Sequence, residues 1–221
     1  MQQNDSLKGQ EIIDNLKRLG INTPTTELVN IDDKIKMGVI EKAYTEVLTT
    51  LGYDLADDSL AETPRRVAKL MVKEANSGLK AENFPKCTTV ENKFSHGDEF
   101  VLVKDIEVYS TCEHHQITMD LKCSIAYVPN KKVLGLSKFA RIARILGRQM
   151  VIQERLTQQI AETIALICET DDVVVHMNGT HYCMKARGVM DSSSTTTTLT
   201  AKGIFGESDS QLRKEFLSSI G

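Results

Sequence analysis

Ile117-Thr118-Met119-Asp120-Leu121-Lys122-Cys123-Ser124-Ile125-Ala126-Tyr127 is the stretch that decides the fold, because its large apolar side chains fall on every second residue until Pro129 stops the run. A period of two puts successive side chains on opposite faces of an extended chain, whereas a helix would scatter the same residues around its axis. The stretch therefore predicts a half-buried antiparallel strand. Upstream, Val101, Val103 and their neighbours up to Tyr109 predict a second strand. Downstream the period lengthens, and two helices are expected: one capped by Ser137 and ending at Gly147, the other carrying Ile152, Leu156, Ile160, Ile164 and Ile167 on one face. A short apolar strand from Val173 to Met177 follows, then an extended segment through His181 and Cys183. The threonine-rich run from Ser192 to Thr200 is also expected to be extended, since β-branching favours that form. The tail from Asp209 to Ile220 reads as a last short helix.

Ahead of the strands the chain reads as helices. Ile12, Ile13, Leu16 and Leu19 recur at helical spacing and stop at Gly20; Ile35, Val39, Ile40, Ala43, Val47, Leu48 and Leu51 do the same and stop at Gly52. A third helix begins at Thr63-Pro64, where a hydroxyl can cap free N–H groups and proline suits the first turn, and it runs to near Gly78. The order is α+β, with an N-terminal helical extension over residues 1–80 and a strand–helix–helix–strand domain over 81–221.

Composition narrows the function classes. A net charge of -3 over 221 residues argues against a broad nucleic-acid footprint, and 5% aromatics without tryptophan argue against a base-stacking platform. No apolar run approaches membrane-spanning length, and the polar, acidic start lacks the features of a secretory signal. Five cysteines, odd in number and widely spread, fit reduced thiols in the cytoplasm better than a disulfide framework.

Two short segments about 70 residues apart each pair histidine with cysteine: Cys112-Glu113-His114-His115 and His181-Tyr182-Cys183. Thiolate and imidazole are zinc's preferred ligands. Cys112 and His115 can clasp an ion from one turn, and His181 and Cys183 share a face if they lie in a strand. Four bound ligands would make a closed structural site, and three would leave a position for water. Spacing alone leaves both open. His114, beside the ligand pair, is placed for proton transfer, since a histidine titrates near neutral pH. His96 and His176 read as ordinary loop and strand histidines, and Cys87, Cys123 and Cys168 as packing residues.

A second group is cationic. Lys138, Arg141, Arg144 and Arg148 recur near helical spacing from Ser137, and Arg187 and Arg66 add to them where a polyphosphate beside a metal would need several cations. By itself such a row is more often a solvated face. A third group, Gln153-Glu154, opens a helix, where a carboxylate either favours the helix dipole or accepts paired N–H donors from a guanine edge.

Taken together, Ser110-Thr111-Cys112-Glu113-His114-His115, Gly135-Leu136-Ser137-Lys138, Gln153-Glu154-Arg155-Leu156-Thr157-Gln158-Gln159 and His181-Tyr182-Cys183-Met184-Lys185-Ala186-Arg187-Gly188 closely resemble the GTP cyclohydrolase I family, in order, from roughly Asp54 to the C-terminal helix. The resemblance implies the tunnelling fold, an antiparallel sheet with two helices on one face, assembled as a homodecamer of two pentameric rings. It implies Zn2+ on Cys112, His115 and Cys183, with a water activated to attack C8 of GTP, and His114 and His181 as proton-transfer groups. Ser137 is implied near the ribose, Gln153 and Glu154 at the guanine, Lys138, Arg141, Arg187 and Arg66 around the triphosphate, and Leu136 among the substrate-binding residues. The implied products are formate and 7,8-dihydroneopterin triphosphate, which opens folate or other pterin synthesis. A zinc nucleobase deaminase would need His-x-Glu and Pro-Cys-x-x-Cys, and neither is present. A non-catalytic protein with structural zinc is the other alternative.

Overall fold

The computed structural model describes residues 4–93, 97 and 99–221; His96 lies outside the described residues. Helix α1 (Ser6–Arg18) is capped by the Asp5 carboxylate and sends Ile12 and Leu16 into the main core. Helix α2 (Asp33–Thr50) is capped by Asp32 but buries none of its residues, so its predicted apolar face, including Ile35, Val39 and Val47, stays exposed on the chain. Helix α3 (Thr63–Lys69) continues as a π-helical turn over Leu70–Ala75. Its cap position is Glu62, without a side-chain hydrogen bond, which corrects the expected Thr63 cap; Pro64 is buried in the first turn.

Short strand β1 (Thr89–Glu91) precedes the long hairpin of β2 (Val101–Cys112) and β3 (Thr118–Tyr127). Then come β4 (Lys132–Leu134), α4 (Leu136–Gly147), β5 (Met150–Val151), α5 (Gln153–Cys168), β6 (Val173–His181), a single turn α6 (Tyr182–Lys185), β7 (Thr196–Ala201) and α7 (Gln211–Ile220). The main sheet has the order β5-β2-β3-β6-β7, and β1 pairs β4 in a separate ribbon. All neighbours in the main sheet are antiparallel except β5, which joins β2 in parallel. Helices α4 and α5 pack on the same face of the sheet, α4 on β2 and α5 on β6 and β7. The expected α+β arrangement is the one observed.

On β3, Met119, Leu121, Cys123, Ile125 and Tyr127 are all fully buried against the helices. Burying a side chain of this kind contributes roughly 1.5–3 kcal/mol relative to leaving it exposed. The half-buried reading holds only for the first part of the strand. From Ser124 onward the opposite face is covered too, because Ala126 and Val174 meet Phe205 and Phe216 in a smaller second core. The second of these phenylalanines belongs to α7, whose cap is Ser210.

Two further expectations are corrected. Gly135 is the cap of α4 and Ser137 lies inside the helix, exposed and making no capping bond. Strand β6 extends through His181, but Cys183 is on α6 rather than in the strand, so alternation is not what brings the two together.

On the paired strands β3 and β6, Leu121 stands opposite Gly179. A Cβ on Gly179 would stand 2.4 Å from the Asp120 carbonyl oxygen and 2.9 Å from Leu121 Cα, both backbone atoms. Gly179→Ala is therefore expected to push the central strands apart and cost about 1–3 kcal/mol, read as a lowered melting temperature.

Candidate metal centre and active site

Cys112 is the last residue of β2, and the turn that follows is closed by main-chain bonds, Gln116 N–H to Cys112 O at 2.9 Å and Cys112 N–H to Ile117 O at 3.0 Å. Gln116 takes a left-handed φ of 57° to complete it. Cys-x-x-His thus sits on the tip of a hairpin, with Cys112 buried at the base and His114 and His115 exposed above it.

β6 delivers the second half. His181 pairs with Met119 in register, and the chain then turns into α6, which turns Cys183 back over the hairpin. The two sulfurs lie 3.8 Å apart without a disulfide. Donor atoms of Cys112, His181 and Cys183 all lie within 4.8 Å of one another, and among the described residues this is the group of metal-binding type. These three could hold a metal ion. Burial, with Cys112 next in order, pushes the Cys183 thiol up, which favours the neutral form of that one side chain.

The resemblance names His115 where this grouping has His181. His115 Nε2 instead accepts a bond of 2.6 Å from Arg187 Nη1, and because an arginine only donates, that imidazole is neutral with a lone pair at Nε2. His114 Nδ1 is 3.8 Å from Cys112 Sγ. Burial lowers the pKa of His181 from its ordinary 6.5; Glu154 opposes the shift and His114 reinforces it. The lowered value favours the neutral ring of His181.

Strand β5 explains how α5 reaches this place. Its parallel bridges, Thr111 to Met150 and Cys112 to Val151, set the start of α5 beside the end of β2. Gln153 is wholly buried there, while Glu154 is exposed on the first turn. A cleft of about 730 Å³ opens beside the hairpin, with Tyr109, Thr111, His114, His115, Gln116 and Arg148 among its walls.

Other candidates stand elsewhere on the chain. Gly147, the last residue of α4, packs against Val108 and Tyr109 near Cys112. Leu136, Ser137 and Lys138 begin the same helix, which at 1.5 Å per residue leaves them roughly 13–17 Å from Gly147 along its axis. Arg141 is on the following turn and Arg66 is exposed on α3. No hydrogen bond joins any of these to the thiol pair among the described residues.

One functional contact escaped the sequence reading. Glu113, inside the hairpin tip, forms an ion pair of 2.7 Å with Arg155 of α5, both side chains about three-quarters covered. The two are 42 residues apart, and no local pattern announces the pair.

With this geometry in place, comparison with known proteins is informative. A sequence model described as GTP cyclohydrolase I matches residues 40–221. Proteins named GTP cyclohydrolase 1 from Shewanella sp. (strain ANA-3) and Shewanella sp. (strain W3-18-1) are 49% and 50% identical over 203 and 198 residues, covering 92% and 90% of this chain and 93% and 91% of theirs. The protein of that name from Shewanella loihica is 48% identical over 200 residues, 90% of this chain and 92% of its own. Among solved structures, an archaeosine synthase QueF-like protein in the apo form superposes with a TM-score of 0.39 and 14% identity over 48% of this chain and 94% of that one, too loose a likeness to build on.

Removing the ion pair tests whether the hairpin tip needs its tether. Arg155→Met is expected to leave the fold intact and weaken metal binding at the thiol pair about 10- to 100-fold, measured by competition with a chromogenic chelator. Unchanged affinity would make the pair a surface contact only.

Proposed function

Because the chain belongs to the GTP cyclohydrolase I family, we propose that it converts GTP, with water, into formate and 7,8-dihydroneopterin triphosphate at the group formed by Cys112, Cys183 and His181, beside the cleft that His114 and His115 line. It is a hydrolase acting on a cyclic amidine C–N bond. The observation that carries the reading onto these residues is the pair of free sulfurs 3.8 Å apart beside two imidazoles. Two thiolates on one tetrahedral zinc, each at about 2.3 Å, would stand about 3.8 Å apart, so the donor set and its spacing fit that ion.

Cys112, Cys183 and His115 would hold the zinc, with the lone pair His115 now offers Arg187 becoming the third ligand. When bound there, a zinc ion supplies a Lewis acid that makes water nucleophilic near neutral pH. The chain's own residues do the rest. Glu154, exposed on the first turn of α5, accepts the paired N–H donors of the guanine edge. His181, held neutral by burial, takes up a proton during ring opening, and His114 is the second proton carrier. Positioned groups of this kind contribute about 10²- to 10⁴-fold each. Arg187, at the hairpin tip, is placed to turn from His115 to phosphate once the imidazole is engaged.

The binding group on α4 requires another copy of the chain. Leu136, Ser137 and Lys138 stand at the opposite end of α4 from Gly147, with Arg141 midway, and the apolar face of α2 is uncovered. Both facts support a homo-oligomer in which one subunit's α4 meets its neighbour's metal centre, with Arg66 adding charge, and the decamer of two pentameric rings is the assembly proposed. Among the described residues no helix is long and apolar enough to cross a membrane, and the reduced cysteines support a cytoplasmic setting.

Formate release and pterin absorbance from GTP test the activity. His181→Ala is expected to keep its zinc and lose turnover by about 10²- to 10⁴-fold, whereas His115→Ala loses both. Zinc retained in His115→Ala and lost in His181→Ala would exchange the two roles. A folded, zinc-loaded protein without turnover would leave a structural metal protein.

A further inference from the structure

Gln153 opens α5 beside Glu154 and has no exposed surface. Its carboxamide is held on every side. Nε2 lies 3.0 Å from the Met177 carbonyl oxygen of β6, 3.0 Å from the Thr196 carbonyl oxygen of β7, and 3.1 Å from Thr198 Oγ1. Oε1 lies 2.8 Å from His181 Nε2. Main-chain carbonyls only accept, so the end of the amide that faces two of them is its NH2. The other end, facing His181, is then an oxygen that only accepts, and the proton between them belongs to His181 Nε2.

The neighbouring hydroxyls agree with this assignment. Thr157 Oγ1 is 2.8 Å from the Gln153 carbonyl oxygen and 2.6 Å from Thr198 Oγ1. Thr157 gives its one proton to the carbonyl, so Thr198 donates to Thr157 and keeps its lone pairs for Gln153 Nε2. The two protons of Gln153 Nε2 serve three acceptors, so the Thr198 contact shares one of them, and Thr157 is as fully buried as Gln153.

We propose that Gln153 is a positioning residue rather than a guanine contact: its buried carboxamide fixes the orientation of the His181 ring by accepting from Nε2–H and leaves the lone pair on Nδ1. A neutral histidine without such a partner distributes its proton over both nitrogens, and the wrong tautomer presents N–H where a lone pair is needed. Glu154 alone then reads the guanine edge from this turn. The inference rests on the reading of the site as that of a GTP cyclohydrolase only for its catalytic consequence, since the tautomer follows from the hydrogen bonds.

Magic-angle-spinning NMR of the zinc-loaded protein labelled with 15N-histidine tests it, with the His181 signals assigned by their loss in His181→Ala. The expected spectrum has a protonated Nε2 and an unprotonated Nδ1. Gln153→Met, similar in length but without an acceptor, is expected to lose the single-tautomer signature and about 10- to 100-fold in kcat, with KM for GTP near its original value. A ring protonated at Nδ1 in the unsubstituted protein overturns the proposal, whether or not the variants fold. A raised KM with unchanged kcat in Gln153→Met also overturns it, by making Gln153 a guanine contact. The spectrum is read without turnover, so absence of activity on GTP would fail the functional reading alone.

Discussion

The antiparallel register of β3 against β6 is the constraint on which the site depends. It fixes His181 opposite Met119, one residue beyond the start of β3, and so at the same end of the sheet as the hairpin that carries Cys112. A slip of one residue would turn every side chain of β6 to the other face, moving Val173, Val175 and Met177 out of the core. The same burial that stabilises the sheet therefore holds the register of the chemistry. The hydrophobic term is unspecific in direction, yet here it positions an imidazole because strand side chains alternate.

Much of this was legible in the residues. The alternation from Ile117 to Tyr127 marked the central strand, the glycines at 20, 52 and 147 marked three helix ends, and the two cysteine–histidine segments marked the metal-binding pair. What stayed hidden has identifiable causes. Ser137 looked like a cap because serine commonly is one, but Gly135 takes the position and the hydroxyl is left exposed. The two-residue strand β5 is too short to show a period, yet it decides where α5 begins. His181 and Cys183 were expected on one strand, and a single helical turn does the work instead.

The buried polar residues of α5 were the least legible of all. Gln153, Thr157, Gln159 and Thr163 lie inside the core, and a helical wheel drawn on hydrophobicity alone would place them toward water. Three have partners that no local sequence pattern shows, from the Met177 and Thr196 carbonyls to Gln149. Buried polar groups left without partners cost roughly 1–3 kcal/mol, so such a set persists only where it is nearly complete; here the Thr163 hydroxyl alone among the buried polar side-chain atoms of the described residues lacks a bond. A network of this kind restrains direction as much as it stabilises, and in this chain the direction it restrains is that of a histidine at the cleft.

The separation of Cys112 from Cys183, 71 residues along the chain, has a consequence for the order in which the protein becomes itself. The β2–β3 hairpin is local and can close early, carrying Cys112 and both neighbouring histidines with it. The second sulfur arrives only after α4 and α5 have folded between and β6 has docked on β3, a contact that must overcome the loop-closure entropy of the whole intervening segment. The Cys112–Cys183 chelate therefore exists only once β6 lies on β3, which ties metal binding at this pair to completion of the central sheet.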